Sequence, residues 1–238
     1  MNKSTRVVTI LDRSRSTMPI QAATANGFNS FVKILRGQSG PCNLKLVQFD
    51  TDYMVKYDNA VKTFPELQSA TSLQEGKTRL YDAIGRTIEE TNTEIANLPE
   101  NERPGAVVML IMTDNYDTAS KRTQESAREL ISRQQKDENW QFVFLGANQD
   151  AITQANALGI DRHSALTYET QNPESVNNCI ESALTAAANY INSVRVSVQD
   201  GKQIDALFSD DDRHRATGWV GPVDQSTEER AERTSQPA

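Results

Sequence analysis

The sequence predicts an α/β fold: a Rossmann-like, mostly parallel six-stranded sheet with one antiparallel edge strand and helices on both faces. Three observations lead there. Short, nearly unbroken apolar runs recur at residues 7–12, 43–49, 106–112 and 140–146, and runs of that length suit strands covered on both sides. Stretches with helical spacing of apolar residues lie between them. Glycine, proline and aspartate punctuate the junctions.

Residues 7–12 (Val-Val-Thr-Ile-Leu-Asp) form the first strand and end in an acid. A helix follows, with Pro19 near its start and Ile20, Phe28, Phe31, Val32 and Leu35 on one face. Gly37 and Gly40-Pro41 stop it. Residues 43–49 are the second strand. Asp50-Thr51-Asp52 turns the chain into alternating Tyr53, Val55 and Tyr57, a hairpin partner at the sheet edge. Residues 58–78 lack periodicity and read mostly as loop. Helical spacing returns at Leu80, Ala83, Ile84, Thr87, Ile88, Thr91 and Ile95, and ends before Pro99.

The most apolar run, residues 106–112, is a central parallel strand ending at Thr113-Asp114. A polar helix is expected over residues 121–136, a buried strand over 140–146, a short helix over 149–158 and a last edge strand from Ala165 to Tyr168. Pro173 introduces a long helix with Val176, Ile180, Ala183, Leu184, Ala187 and Ile191 on its core side. Beyond about residue 200 the pattern dissolves, and Asp210-Asp211-Asp212-Arg213-His214-Arg215 reads as a solvated charged segment or, with Trp219, a docking element. The division expected is a domain over 1–200, a C-terminal extension over 201–221 and a disordered polar tail over 222–238.

Charge and composition narrow the function. A formal net charge of -7 with no basic stripe argues against a nucleic-acid partner. Cys42 and Cys179 are expected to be buried, reduced thiols, too few for a disulfide framework or a zinc site. No apolar run reaches membrane-spanning length and the N-terminus lacks a signal-peptide pattern, so a cytoplasmic protein without a membrane partner is expected.

Ligands of open α/β sheets sit beyond the carboxyl ends of the strands. Asp12, Ser14 and Ser16 fall there after the first strand, Asp114 after the central one, and Thr78 in Gly76-Lys77-Thr78 before a helix. All five offer hard oxygen atoms. Such a set suits Mg²⁺, with Mn²⁺ or Ca²⁺ as substitutes, and leaves part of an octahedron for water or an incoming carboxylate. In Asp-x-Ser-x-Ser, alternate residues of a tight loop can turn their oxygens to one side.

These residues resemble the metal-ion-dependent adhesion site (MIDAS) of von Willebrand factor A-like (vWA) domains, of bacterial or phage type. The resemblance rests on Asp12-Arg13-Ser14-Arg15-Ser16, Gly76-Lys77-Thr78 and Thr113-Asp114. It continues in Gly27-Phe28-Asn29-Ser30-Phe31, in Thr78-Arg79-Leu80-Tyr81-Asp82-Ala83 and in Phe142-Val143-Phe144-Leu145-Gly146-Ala147-Asn148, over roughly residues 5–195. It implies one cation held by Asp12, Ser14, Ser16, Thr78 and Asp114, and a protein partner whose acidic side chain completes the coordination. Bacterial and phage relatives commonly work beside AAA-type ATPases or within larger assemblies. This sequence departs from the family pattern in two places, with Arg15 and Asn115 standing where glycine is usual. Arg15 would strain the loop, weaken the cation or attract an anionic partner.

Other readings of the same residues are weaker. Asp12, Ser14 and Ser16 as mere helix caps would leave the position of Thr78 and Asp114 unexplained. A P-loop around Gly76-Lys77-Thr78 needs glycine where Thr71 stands. A phosphotransfer nucleophile at Asp12 would want an acid where Ser14 stands. His163 and His214 lie far apart with no nucleophile motif beside them. Asp82 and Asp117 lie near the proposed site and read first as solvated acids at helix ends, with support of the metal ligands as the alternative. The expectation is a non-enzymatic, metal-dependent protein-binding module. Its alternatives are a phosphoester hydrolase using the same cation and a structural assembly subunit whose site Arg15 has silenced.

Overall fold

The computed structural model describes residues 4–38, 40–68, 76–147, 151–171, 176–202 and 208–218. Six strands form one sheet: β1 (Thr5–Asp12), β2 (Cys42–Phe49), β3 (Tyr53–Ala60), β4 (Ala106–Thr113), β5 (Gln141–Ala147) and β6 (Ala165–Tyr168). Their spatial order is β3-β2-β1-β4-β5-β6. All neighbours pair in parallel except β2 and β3. The antiparallel edge strand comes from the Asp50–Asp52 turn, as the alternation of Tyr53, Val55 and Tyr57 indicated.

Side chains of the central strands alternate between two cores, the pleat's period of two made visible. Val7 and Leu11 of β1 join Val108, Leu110 and Met112 of β4 on one face. Val8 and Ile10 join Val107, Met109 and Ile111 on the other. The first face is covered by α1 (Gln21–Arg36) and α5 (Val176–Asp200), the second by α2 (Leu80–Ala96), α3 (Gln124–Asp137) and α4 (Ala151–Ala157). Fully burying a Leu or Ile at such positions contributes about 1.5–3 kcal/mol. Gly27 lets α1 and α5 approach closely, because a Cβ there would stand 3.0 Å from Leu184 Cδ1.

Element boundaries differ from expectation where another segment captures the backbone. Pro19 lies in a 3-10 turn, Arg15–Ile20, which precedes α1. Within 58–78 regular structure is confined to the start, where β3 runs to Ala60 and a 3-10 turn covers Val61–Thr63; the other described residues of the segment are loop, as expected. Arg36 Nη2 donates to Phe64 O (2.9 Å), and Asn29 both accepts from Leu67 N–H (2.8 Å) and donates to Leu67 O (3.0 Å). Residues 69–75 lie outside the described residues, as do Pro173, Trp219 and the tail at 222–238. The third helix begins at Gln124, not at residue 121, because Lys121 and Arg122 donate their N–H groups to the Asp82 carboxylate and Thr123 caps the helix.

The acidic–basic run at 210–215 is largely solvated, with Asp210, Asp211, His214 and Arg215 exposed, yet it is regular. It forms α6 (Asp210–Ala216), opened by a capping box between Ser209 and Asp212. Arg213 donates to Ala165 O (2.7 Å) and Arg162 O (3.0 Å), and Phe208 packs against Tyr190 with ring centroids 5.5 Å apart. Both cysteines are buried and unpaired. Among the described residues, no helix is long and apolar enough to cross a membrane.

Candidate metal centre

Register brings the strand ends level. Asp12 pairs with Phe49 across β1–β2, and Leu11 with Met112 across β1–β4. The chain leaves β1 for β2 on one side and returns to β4 on the other, so a crevice opens between the ends of β1 and β4. Asp12 stands at one lip and Asp114 just past the other.

All five residues singled out in the sequence meet there. Thr78 Oγ1 donates to Ser14 Oγ (3.1 Å), Ser14 Oγ contacts Ser16 Oγ (3.2 Å), and Ser16 Oγ donates to Asp114 Oδ1 (2.9 Å). Asp12 Oδ1 accepts the Ser14 N–H (2.7 Å), and its Oδ2 accepts the Thr113 hydroxyl (2.7 Å). A carboxylate has about four lone-pair sites, so Asp12 keeps acceptor capacity for a further partner. Asp12, Ser14 and Thr78 are 5%, 2% and 3% exposed, whereas Ser16 opens to solvent.

A buried carboxyl, Asp12, and a half-buried one, Asp114, share this place without a counter-ion among the described residues. Neither Asp12 nor Asp114 makes an ion pair among the described residues; the neighbouring Arg13 is committed to Asp50 (3.3 Å). Burial raises the Asp12 carboxyl. Burial and then the charge of Asp12 push Asp114 up to about 6. A hard divalent cation among these oxygens would relieve both effects, and the donor set fits one. Among the described residues, no three His, Cys, Asp or Glu side chains cluster around a metal position; the oxygen set has two carboxylates and three hydroxyls.

The loops around the site are laced together. Arg15 N–H donates to Gly76 O (3.3 Å), Lys77 N–H to Thr51 Oγ1 (2.9 Å) and Thr78 N–H to Thr118 Oγ1 (3.1 Å). Gly76 is required by contact: a Cβ there would lie 2.6 Å from the Asp50 side chain. Arg15 does not strain its loop. Among the described residues the non-glycine with positive φ is Asn139, and Arg15 opens the 3-10 turn with its side chain exposed. Asn115 likewise needs no left-handed backbone, and its side chain accepts the Tyr116 N–H (2.8 Å).

Sequence reasoning missed one supporting role. Thr113 orients Asp12, a role visible only once β1 and β4 are in register. Asp82 and Asp117, weighed as solvated acids or as supports of the site, both tie loops: Asp82 holds the amides of Lys121 and Arg122, while Asp117 accepts from Tyr81 N–H (3.2 Å), Ser120 N–H (3.0 Å) and the Ser120 hydroxyl.

No protein-family model and no curated protein matches the sequence. Solved structures do. The vWF domain of the type V pili tip protein Mfa5 from Porphyromonas gingivalis matches at TM-score 0.56 and 12% identity, over 87% of this chain and 99% of that one. Proximal thread matrix protein 1 from the mussel byssus, in a structure with a zinc-occupied MIDAS motif, matches at 0.53 and 15%, over 79% of this chain and 48% of that one. The pilus adhesin SpaC from Lactobacillus rhamnosus GG matches at 0.58 and 12%, over 80% of this chain and 31% of that one. This chain thus spans about half the length of the mussel protein and less than a third of SpaC. At these identities the likeness is one of fold.

Proposed function

We propose that this chain, a protein of von Willebrand factor A-like fold, is a non-enzymatic, metal-dependent protein-binding module. Asp12, Ser14, Ser16, Thr78 and Asp114 hold one divalent cation, Mg²⁺ first and Mn²⁺ or Ca²⁺ as substitutes. An acidic side chain of a protein partner completes its coordination. The observation that carries the reading is the unbroken run of contacts from Thr78 through Ser14 and Ser16 to Asp114, beside a pair of carboxyls with no protein counter-ion among the described residues.

The bound cation supplies a Lewis-acidic centre that attracts a carboxylate. The protein supplies the rest. Thr113 and the Ser14 N–H fix the orientation of Asp12, and the 76–78 loop presents the Thr78 hydroxyl. Ser16, open to solvent, marks the side from which a partner arrives. No histidine adjoins the site: His163 lies in the turn before β6 and His214 in α6. That supports binding over hydrolysis. Matching folds in a zinc-occupied MIDAS structure and in pilus proteins support a cation at this position and a place in a larger assembly. An AAA-type ATPase as the partner is part of the proposal and rests on the family resemblance alone.

The test is calorimetric titration of Mg²⁺ into the full chain and into Asp12→Ala, with circular dichroism of both. One site is expected in the parent and none in the variant, with matching spectra. A captured partner should elute with EDTA. Undiminished partner affinity in Asp12→Ala, or in EDTA, overturns the proposal.

A further inference from the structure

The rim around the five oxygens has a composition of its own. Large hydrophobic side chains exposed among the described residues are Met18, Val55, Leu98, Tyr116 and Val196. Two of these stand on the site's own loops. Met18 (40% exposed) is two residues past Ser16, and Tyr116 (52% exposed) is two residues past Asp114. The Ser16–Asp114 hydrogen bond joins the loops that carry them. A single exposed hydrophobe means little. Two flanking a polar centre match the make-up of interface anchors, in which Tyr, Met and Arg are enriched.

Charge on the rim runs against that of the chain as a whole, which carries a net -7. Arg15 is exposed between Ser14 and Ser16, and Lys77 is exposed immediately before Thr78. The Arg15 N–H to Gly76 O bond holds those two stretches side by side. Neither cation makes an ion pair among the described residues, whereas Arg13 is spent on Asp50. Asp52, also exposed, lies on the turn beside Lys77, since Lys77 N–H bonds Thr51. The Arg15 side is therefore the one that favours an added negative charge.

We propose that this rim docks an acidic segment of a partner protein, in which the coordinating carboxylate is flanked by a second acid and by a large apolar side chain. The second acid faces Arg15, and the apolar group packs between Met18 and Tyr116. The proposal rests on the cation reading above and adds what surrounds the coordinating residue. A basic segment would meet Arg15, Lys77 and the cation together, and is disfavoured.

The experiment probes the purified full chain, in Mg²⁺, against an array of twelve-residue peptides with a fixed central aspartate and randomised flanks. A single-stranded DNA oligonucleotide serves as the polyanion competitor. Acidic and large apolar flanks should be retained about fivefold above the library average, an effect of roughly 1 kcal/mol. Arg15→Glu should turn the acidic preference basic. Tyr116→Ser should erase the apolar preference, and Val196→Ser should leave both in place. Flanks that are unselected or basic for the parent, while Mg²⁺ still titrates into the site, overturn this inference and leave the cation reading standing. Failure of Mg²⁺ to titrate overturns the cation reading itself. Displacement of the peptides by DNA in preference to an acidic peptide overturns the assignment to a protein partner.

Discussion

Thr113→Val isolates one hydrogen bond at the base of the site. Thr113 is buried at the end of β4, and its hydroxyl donates to Asp12 Oδ2 at 2.7 Å. Cation binding requires Asp12 ionised, while burial raises its carboxyl; the Thr113 bond is the first influence opposing that rise. A hydrogen bond to a charged group contributes roughly 1.5–3 kcal/mol. If ion binding loses that amount, Mg²⁺ affinity falls by about 10- to 100-fold, in the range seen when groups orienting a metal ligand are removed. Calorimetric titration at pH 7.5 measures this, with thermal melts to show that the variant remains folded. Thr113→Ser keeps the hydroxyl and should bind close to the parent. A Val variant with parental Mg²⁺ affinity would refute the role of Asp12 as an oriented, ionised ligand.

Three further outcomes follow from the same geometry. Asp114 is raised from an ordinary carboxylate to about 6, so folding without the ion is penalised above pH 6 and relieved as pH falls from there toward 4. The rise in melting temperature given by Mg²⁺ should be largest above pH 6 and shrink across that window; an increment independent of pH between 5 and 7.5 would speak against the assignment. Gly76→Ala forces a Cβ to within 2.6 Å of Asp50, and should cost about 1–3 kcal/mol in stability and weaken Mg²⁺ binding, read by melts with and without the ion. Ser209→Ala removes the capping box of α6 at a cost of about 1 kcal/mol. Hydrogen exchange at residues 210–216 should quicken, while Mg²⁺ binding stays unchanged.

Much of the scaffold is readable from local chemistry. Val107 to Met112 can be little else than a buried strand, and alternation from Tyr53 marks an edge strand. The five oxygens were identifiable because each follows a strand or precedes a helix at the same end of the sheet. What stayed hidden depends on contacts distant in sequence. Thr113 meets Asp12 across 101 residues, and Asp82 reaches Lys121 and Arg122 from another helix, which delays the start of α3. The 210–215 run lacks an apolar period, so its helicity shows only through its cap and through Arg213 reaching carbonyls at Ala165 and Arg162. Of the three effects weighed for Arg15, loop strain is the one the 3-10 turn removes.

The most direct test is a crystal of the full chain grown with Mn²⁺ and measured for anomalous scattering. A single strong peak is expected among the Ser14, Ser16, Thr78 and Asp114 oxygens, with Asp12 coordinating directly or through one water. A peak elsewhere, or none at saturating Mn²⁺, would contradict the claim that these side chains form a cation site.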